Sequence, residues 1–155
     1  MKIELLLLGK TKDGYLQKGI DEYVKRLSRF AAVELITIKA VRHGSWSDSE
    51  ITGQESVLIE KKIGKGNFRV VLDSRGRQYS SEAFAEFLSG LESRGVSTAT
   101  FIIGGPLGLS EEQLSKADHL LCLSKMTFTH DMTRLILLEQ LYRAYTIKAG
   151  TGYHK

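Results

Sequence analysis

The chain is poor in what would staple, anchor or metallate a protein. One cysteine in 155 residues, Cys122, leaves no partner for a disulfide within the chain. It sits in an apolar run and reads as a buried, inert thiol. With no disulfide framework and no secretory pattern, the expected compartment is the reducing cytoplasm. Long apolar runs are missing too. Leu5 to Leu8 is bounded by Lys2, Glu4 and Lys10, far short of the roughly 20 residues that cross a bilayer, so no membrane partner is expected. The four histidines (His43, His119, His130, His154) lack metal-ligand spacing, and no metal site is expected. Nucleotide and hydrolase signatures also fail. A P-loop ending at Gly9-Lys10-Thr11 would need glycine where Glu4 stands, and neither G-x-G-x-x-G nor G-x-S-x-G occurs where those folds require it.

What is present fits one soluble α/β domain over residues 1–155. The composition is 42% hydrophobic and 26% charged, and a chain of this size buries roughly 68–70% of its unfolded surface. A net charge of +4 is mild support for a polyanionic partner. Short β-rich runs alternate with helical periodicity, which predicts a mainly parallel sheet flanked by helices. Strands are expected at Ile3–Leu8, Val33–Ile38, Phe68–Leu72, Thr98–Ile103 and Leu120–Leu123. Helices are expected over Asp13–Ser28 (Asp13 as cap), about Asp48–Ile63, from Ser80 or Ser81 to Ser93, after Ser110, and over Met132–Lys148. Asp73–Gly76 reads as a turn, and Arg42–Ser49 as a polar loop holding the lone tryptophan, Trp46.

Two post-strand segments carry candidate chemistry. Phe101 to Ser110 runs a strand into Gly104-Gly105-Pro106, where no Cβ keeps a ligand from the backbone. Loops of this kind bind ligands beyond the carboxyl ends of parallel strands, although a tight strand-to-helix turn without a ligand has the same appearance. Leu123 to His130, with Arg134 one turn later, mixes polar groups with Met126 and Phe128, which suits a cofactor with an apolar face or an ordinary connection. The last helix is apolar around most of its circumference, so one side is expected to be buried in a homodimer. Arg143 is placed for an i,i+4 pair with Glu139 as well as for a substrate role. The terminal Tyr153-His154-Lys155 offers a ring, an imidazole and a cation together, a useful set for a nucleotide.

Taken together, IIGGPLGLS, LSKMTFTHDMTR, LLEQLYRAYTIKAG and the terminal YHK resemble the RlmH family, SPOUT enzymes that methylate N3 of a pseudouridine in large-subunit ribosomal RNA. KIELLLLGK, EYVKRL and VVLDSRG extend the likeness along the whole chain. The resemblance implies an α/β sheet with a trefoil knot near the carboxyl end, a homodimer, and S-adenosyl-L-methionine as cofactor. By position it implies a cofactor pocket of Leu72, Gly104, Leu123, Ser124, Lys125, Met126, Thr127 and Phe128, with Arg143, Tyr153 and His154 on the substrate side. Thr129 stands where relatives commonly have proline, and Leu107 where many are polar.

On this reading His154 is the expected base for the weakly acidic N3–H, because histidine titrates near neutrality. Arg143 would stabilise the developing imidate and Tyr153 would position the base. The tail is expected to complete the partner subunit's site, and the assembled ribosome is the expected substrate. The rival readings are a non-catalytic RNA- or ribosome-binding module and a SPOUT enzyme acting on another RNA.

Overall fold

The computed structural model describes residues 1–154, without the side chain of His154. Its centre is strand β1 (Lys2–Leu8), whose alternation divides the core. Ile3, Leu5 and Leu7 point to one face of the sheet, while Leu6 and Leu8 point to the other. The strands β2 (Val33–Ile38), β4 (Thr98–Ile103), β3 (Phe68–Arg77) and β5 (His119–Leu121) complete a sheet of order β2-β1-β4-β3-β5. Every strand pair is parallel. The crossover helices cover both faces, as a parallel sheet requires.

On the first face lie α1 (Gly14–Leu27), α3 (Ser81–Ser93) and α5 (His130–Lys148), joined by Ile20, Leu27, Leu88, Leu91, Leu138 and Leu141 in one buried cluster. The other face is covered by α2 (Asp48–Glu60) and the short α4 (Glu111–Ser115) through Ile59 and Leu114. A single 3₁₀ turn, Gly152–His154, follows α5.

Helix starts follow local side-chain chemistry. Ser47 forms a reciprocal capping box with Glu50, and Ser80, Ser110 and Thr129 each accept a backbone N–H three residues on. The Thr129 hydroxyl, absent from a proline, starts α5 at His130, two residues before the expected Met132. Asp13 precedes α1 but makes no side-chain cap, contrary to expectation. The second helix stops at Glu60 rather than near Ile63. The fifth strand ends at Leu121, shifted from 120–123.

The largest departure is at 73–76. The expected turn lies inside β3, where Leu72 and Arg77 both pair with Leu121 and the four residues between them loop out. Asp73 closes this excursion by accepting the Arg75 backbone N–H at 2.9 Å. The returning Arg77 carbonyl accepts from Cys122 N at 2.9 Å. Gly76 passes so close to β5 that a Cβ there would lie 2.6 Å from the Leu120 carbonyl carbon.

Candidate functional site: a cleft at the carboxyl ends of the strands

All five strands point their carboxyl ends the same way, so the loops after β1, β3, β4 and β5 gather at one edge of the sheet. Two adjoining cavities, of about 230 Å³ and about 670 Å³, open there and share Leu72, Asp73, Thr127, Phe128 and Thr133. The smaller is lined by Leu123, Ser124, Lys125 and Met126, the larger by Ile103, Gly104 and Pro106. The eight residues expected to bind a cofactor therefore meet around one cleft. Its volume suits a nucleoside-sized ligand.

Local bonds shape the walls. Lys125 Nζ donates to the Ser74 carbonyl at 3.0 Å, tying the loop after β5 to the excursion in β3. Met126 N donates to Ser124 Oγ at 3.0 Å, which leaves the Met126 side chain 76% exposed at the mouth beside the half-buried Phe128. A Cβ on Gly104 would meet Gly108 carbonyl carbon at 2.9 Å and Leu109 Cγ at 3.0 Å. Only glycine lets β4 turn so tightly against its own loop. The Arg75 guanidinium bonds the Asp73 carboxylate and holds it below the usual carboxylate range, so Asp73 faces the cleft as an acceptor.

Sequence reasoning missed Asp73 and Thr133, whereas His130, within the loop expected to suit a cofactor, does line the cleft. The excursion in β3 was legible only as a turn, and Thr133 enters because α5 begins beside the cleft.

Behind the cleft, Arg134 is fully buried and fastens α5 to the end of β1. Its guanidinium donates to the Leu8 carbonyl at 2.7 Å and Thr11 Oγ1 at 2.9 Å, and lies 3.0 Å from Asp131. The other Asp131 oxygen accepts from Lys12 N at 3.1 Å.

The residues expected on the substrate side are elsewhere in the chain. Arg143 lies 13 residues beyond His130 along α5, roughly 20 Å at 1.5 Å per residue. Its guanidinium is bonded to Glu139 and sits 4.9 Å over the Tyr153 ring. Tyr153 Oη lies 3.2 Å from Tyr23 Oη, and its ring packs on Tyr142 at 4.7 Å. Burial and the Tyr23 contact raise the Tyr153 phenol, which stays protonated. The side chain of His154 lies outside the described residues. Within one chain, Arg143 and Tyr153 come together but do not reach the cleft.

A family model described as "Predicted SPOUT methyltransferase" matches residues 1–154. The chain belongs to this family of SPOUT methyltransferases. It is 49% identical over 155 residues to "Ribosomal RNA large subunit methyltransferase H" of Desulfotalea psychrophila (strain LSv54 / DSM 12343), covering 100% of both chains. It is 44% identical over 159 residues to the protein of that name from Streptococcus pyogenes serotype M5 (strain Manfredo), again covering 100% of each. Among solved structures, a probable methyltransferase from Bordetella pertussis Tohama I aligns with a TM-score of 0.60 at 10% identity, over 93% of this chain and 94% of that one. A probable methylase family protein from Haemophilus influenzae Rd KW20 aligns at 0.54 and 12% identity, over 99% and 70%. These two likenesses concern the fold. The walls of the cleft alternate apolar side chains with backbone and hydroxyl groups, and glycine lies at its tightest turn. Among the described residues no group of three or more His, Cys, Asp or Glu could hold a metal ion, and no helix is long and apolar enough to cross a membrane.

Proposed function

We propose that this SPOUT methyltransferase takes S-adenosyl-L-methionine as donor and methylates N3 of a pseudouridine in large-subunit ribosomal RNA on the assembled ribosome, in the cytoplasm. The observation that carries the proposal is the convergence of Leu72–Asp73, Ile103–Leu109 and Leu123–Phe128 on one cleft, in a chain alike over its full length to proteins named ribosomal RNA large subunit methyltransferase H. The family likeness is also the ground for proposing a trefoil knot near the carboxyl end.

When bound, the donor supplies an electrophilic sulfonium methyl. The chain's own residues do the rest. Leu72, Leu123 and Phe128 offer apolar surface to a flat ring, while backbone groups near Gly104 and the loop after β5 offer hydrogen-bonding edges. Holding the acceptor nitrogen in line supplies much of the acceleration. Removal of the N3 proton falls to His154, worth typically 10²–10⁴-fold, with Arg143 beside the developing negative charge and Tyr153 positioning the base.

The separation of roughly 20 Å along α5 supports a site completed by a second copy of the chain. The apolarity of α5, the original reason to expect a homodimer, is largely used within the chain: Leu137, Leu138, Leu141 and Ala144 are buried between α1, α3 and the sheet. Half-exposed Ile136 and Phe128 remain in a shallow groove with Tyr79 and Phe84, next to the cleft, and this surface is the one proposed for the dimer.

Subunit mixing tests the proposal. Gly104→Val should abolish donor binding in calorimetry, and His154→Ala should retain it while losing methyl transfer to ribosomes that lack the modification. With sites shared between subunits, random mixing of the two inactive variants restores about a quarter of wild-type activity, since half the dimers carry one intact site. No recovery on mixing rejects the shared site. Absence of methyl transfer from S-adenosyl-L-methionine to ribosomal RNA by the wild type rejects the function.

A further inference from the structure

Beside the donor cleft runs a second groove that the methyl-transfer chemistry leaves unused. It has a volume of about 590 Å³ and lies between the loops after β1, β2 and β4. Pro106 and His130 belong to both depressions, so the groove and the donor cleft share a wall. Lys10, Lys12 and Arg42 line it, and Lys10 and Arg42 continue into a neighbouring hollow that also contains Lys39. All four cations are exposed. Among the described residues, no carboxylate forms an ion pair with any of their side chains, whereas Arg26, Arg69, Arg75, Lys116 and Arg143 are each paired.

The one acid in the groove, Glu55, is 5% exposed and accepts from Val41 N at 3.1 Å, so it anchors the loop rather than neutralising the rim. That loop carries an aromatic platform. The rings of His43, which lines the groove, and Trp46 stack at 4.4 Å with 22° between planes, and Trp46 remains 37% exposed. A large ring stacked on imidazole at the edge of an unneutralised basic groove matches what an unpaired nucleotide needs, with phosphates on the cations and a base face on the ring.

We propose that this groove holds the single-stranded RNA next to the target nucleotide, with Lys10, Lys12, Lys39 and Arg42 on its phosphates and the Trp46–His43 pair stacking an unpaired base. The proposal rests on the RNA-methyltransferase reading and names the surface by which that same site engages its substrate. It places the strand so that the target base reaches the donor cleft past Pro106 and His130.

The test uses full-length protein and assembled ribosomes from cells lacking the modification. Binding is measured across a salt series, donor affinity separately by calorimetry with S-adenosyl-L-methionine. The Lys10→Ala/Arg42→Ala double variant should keep wild-type donor affinity, bind ribosomes more weakly, and lower the slope of log affinity against log salt by about 1.4, roughly 0.7 for each phosphate contact on a single strand. Trp46→Ala should weaken binding roughly 5- to 150-fold with the salt slope unchanged. A photo-crosslinking amino acid at position 46 should attach to ribosomal RNA. Unaltered ribosome affinity and salt slope in the double variant overturn the proposal, and so does crosslinking from position 46 to a ribosomal protein alone. Wild-type protein that binds ribosomes but transfers no methyl group would reject the enzymatic reading while the binding and crosslinking arms still decide the groove.

Discussion

One methyl group added at Gly76 tests the central geometry of the fold. In Gly76→Ala the new Cβ would lie 2.6 Å from the Leu120 carbonyl carbon and 2.7 Å from both the Leu120 oxygen and the Leu121 carbonyl carbon. All three are backbone atoms of a paired strand, so no side chain can rotate away. Relief requires the 73–77 segment to move off β5 until those contacts reach the ordinary 3.4 Å. The hydrogen bond from Cys122 N to the Arg77 carbonyl, now 2.9 Å, breaks in the process. Losing that bond costs about 0.5–1.5 kcal/mol, and overpacking adds about 1–3 kcal/mol, so a loss of about 1.5–4.5 kcal/mol is expected. Urea unfolding at fixed chain concentration reads this as a lower midpoint at unchanged slope. Because Leu72 and Asp73 leave with the segment, donor affinity should fall in parallel. Gly90→Ala is the control: it lies inside α3 with nothing within 4 Å of the added Cβ, and should gain about 0.5–1 kcal/mol. A Gly76→Ala protein with unchanged midpoint and donor affinity would refute the reasoning.

Other expectations follow from the buried polar groups. Arg134→Met removes the cation that holds α5 against Leu8 and Thr11 and strands Asp131, which is 6% exposed; a loss of about 3–5 kcal/mol in urea unfolding is expected, and an Asp131→Asn change in the same background should recover part of it. His119 packs 4.6 Å from the Phe87 ring and 3.1 Å from Tyr79 Oη, and burial, aided by Arg77, lowers its affinity for a proton. The unfolded chain then binds a proton that the folded one refuses, so stability is complete above the ordinary histidine value of about 6.5 and declines as pH falls below it. His119→Gln should flatten the decline between pH 7 and pH 5, and an equal slope in both proteins would show the imidazole to be unperturbed.

Much of the fold was legible because it follows from local rules. The unbroken apolar run Leu5–Leu8, the helical spacing of Leu16, Ile20 and Leu27, and the serine caps at Ser80 and Ser110 act within a few residues, and the structure keeps them. The loops from Gly104 and Leu123 were recognisable as candidates for the same reason, since small residues and a polar-apolar mixture in consecutive positions after a parallel strand are local features, and the structure brings both loops to one cleft. Asp13 had the residue type of a cap without the geometry, which depends on how the chain enters the helix.

What only the tertiary structure decided is long-range. The residues of Asp73–Gly76 look like a turn because Asp73 and Gly76 are turn formers, yet β5, more than forty residues later, pairs on both sides of them. Arg134 carries no sequence mark distinguishing a surface arginine from one sealed against the Leu8 carbonyl across 126 residues. The same holds for the groove of Lys10, Lys12 and Arg42, whose charges sum to nothing unusual in the composition. Periodicity and capping are encoded residue by residue, whereas which loops face one another is set by strand order, and strand order follows from how the assembled sheet buries its two faces.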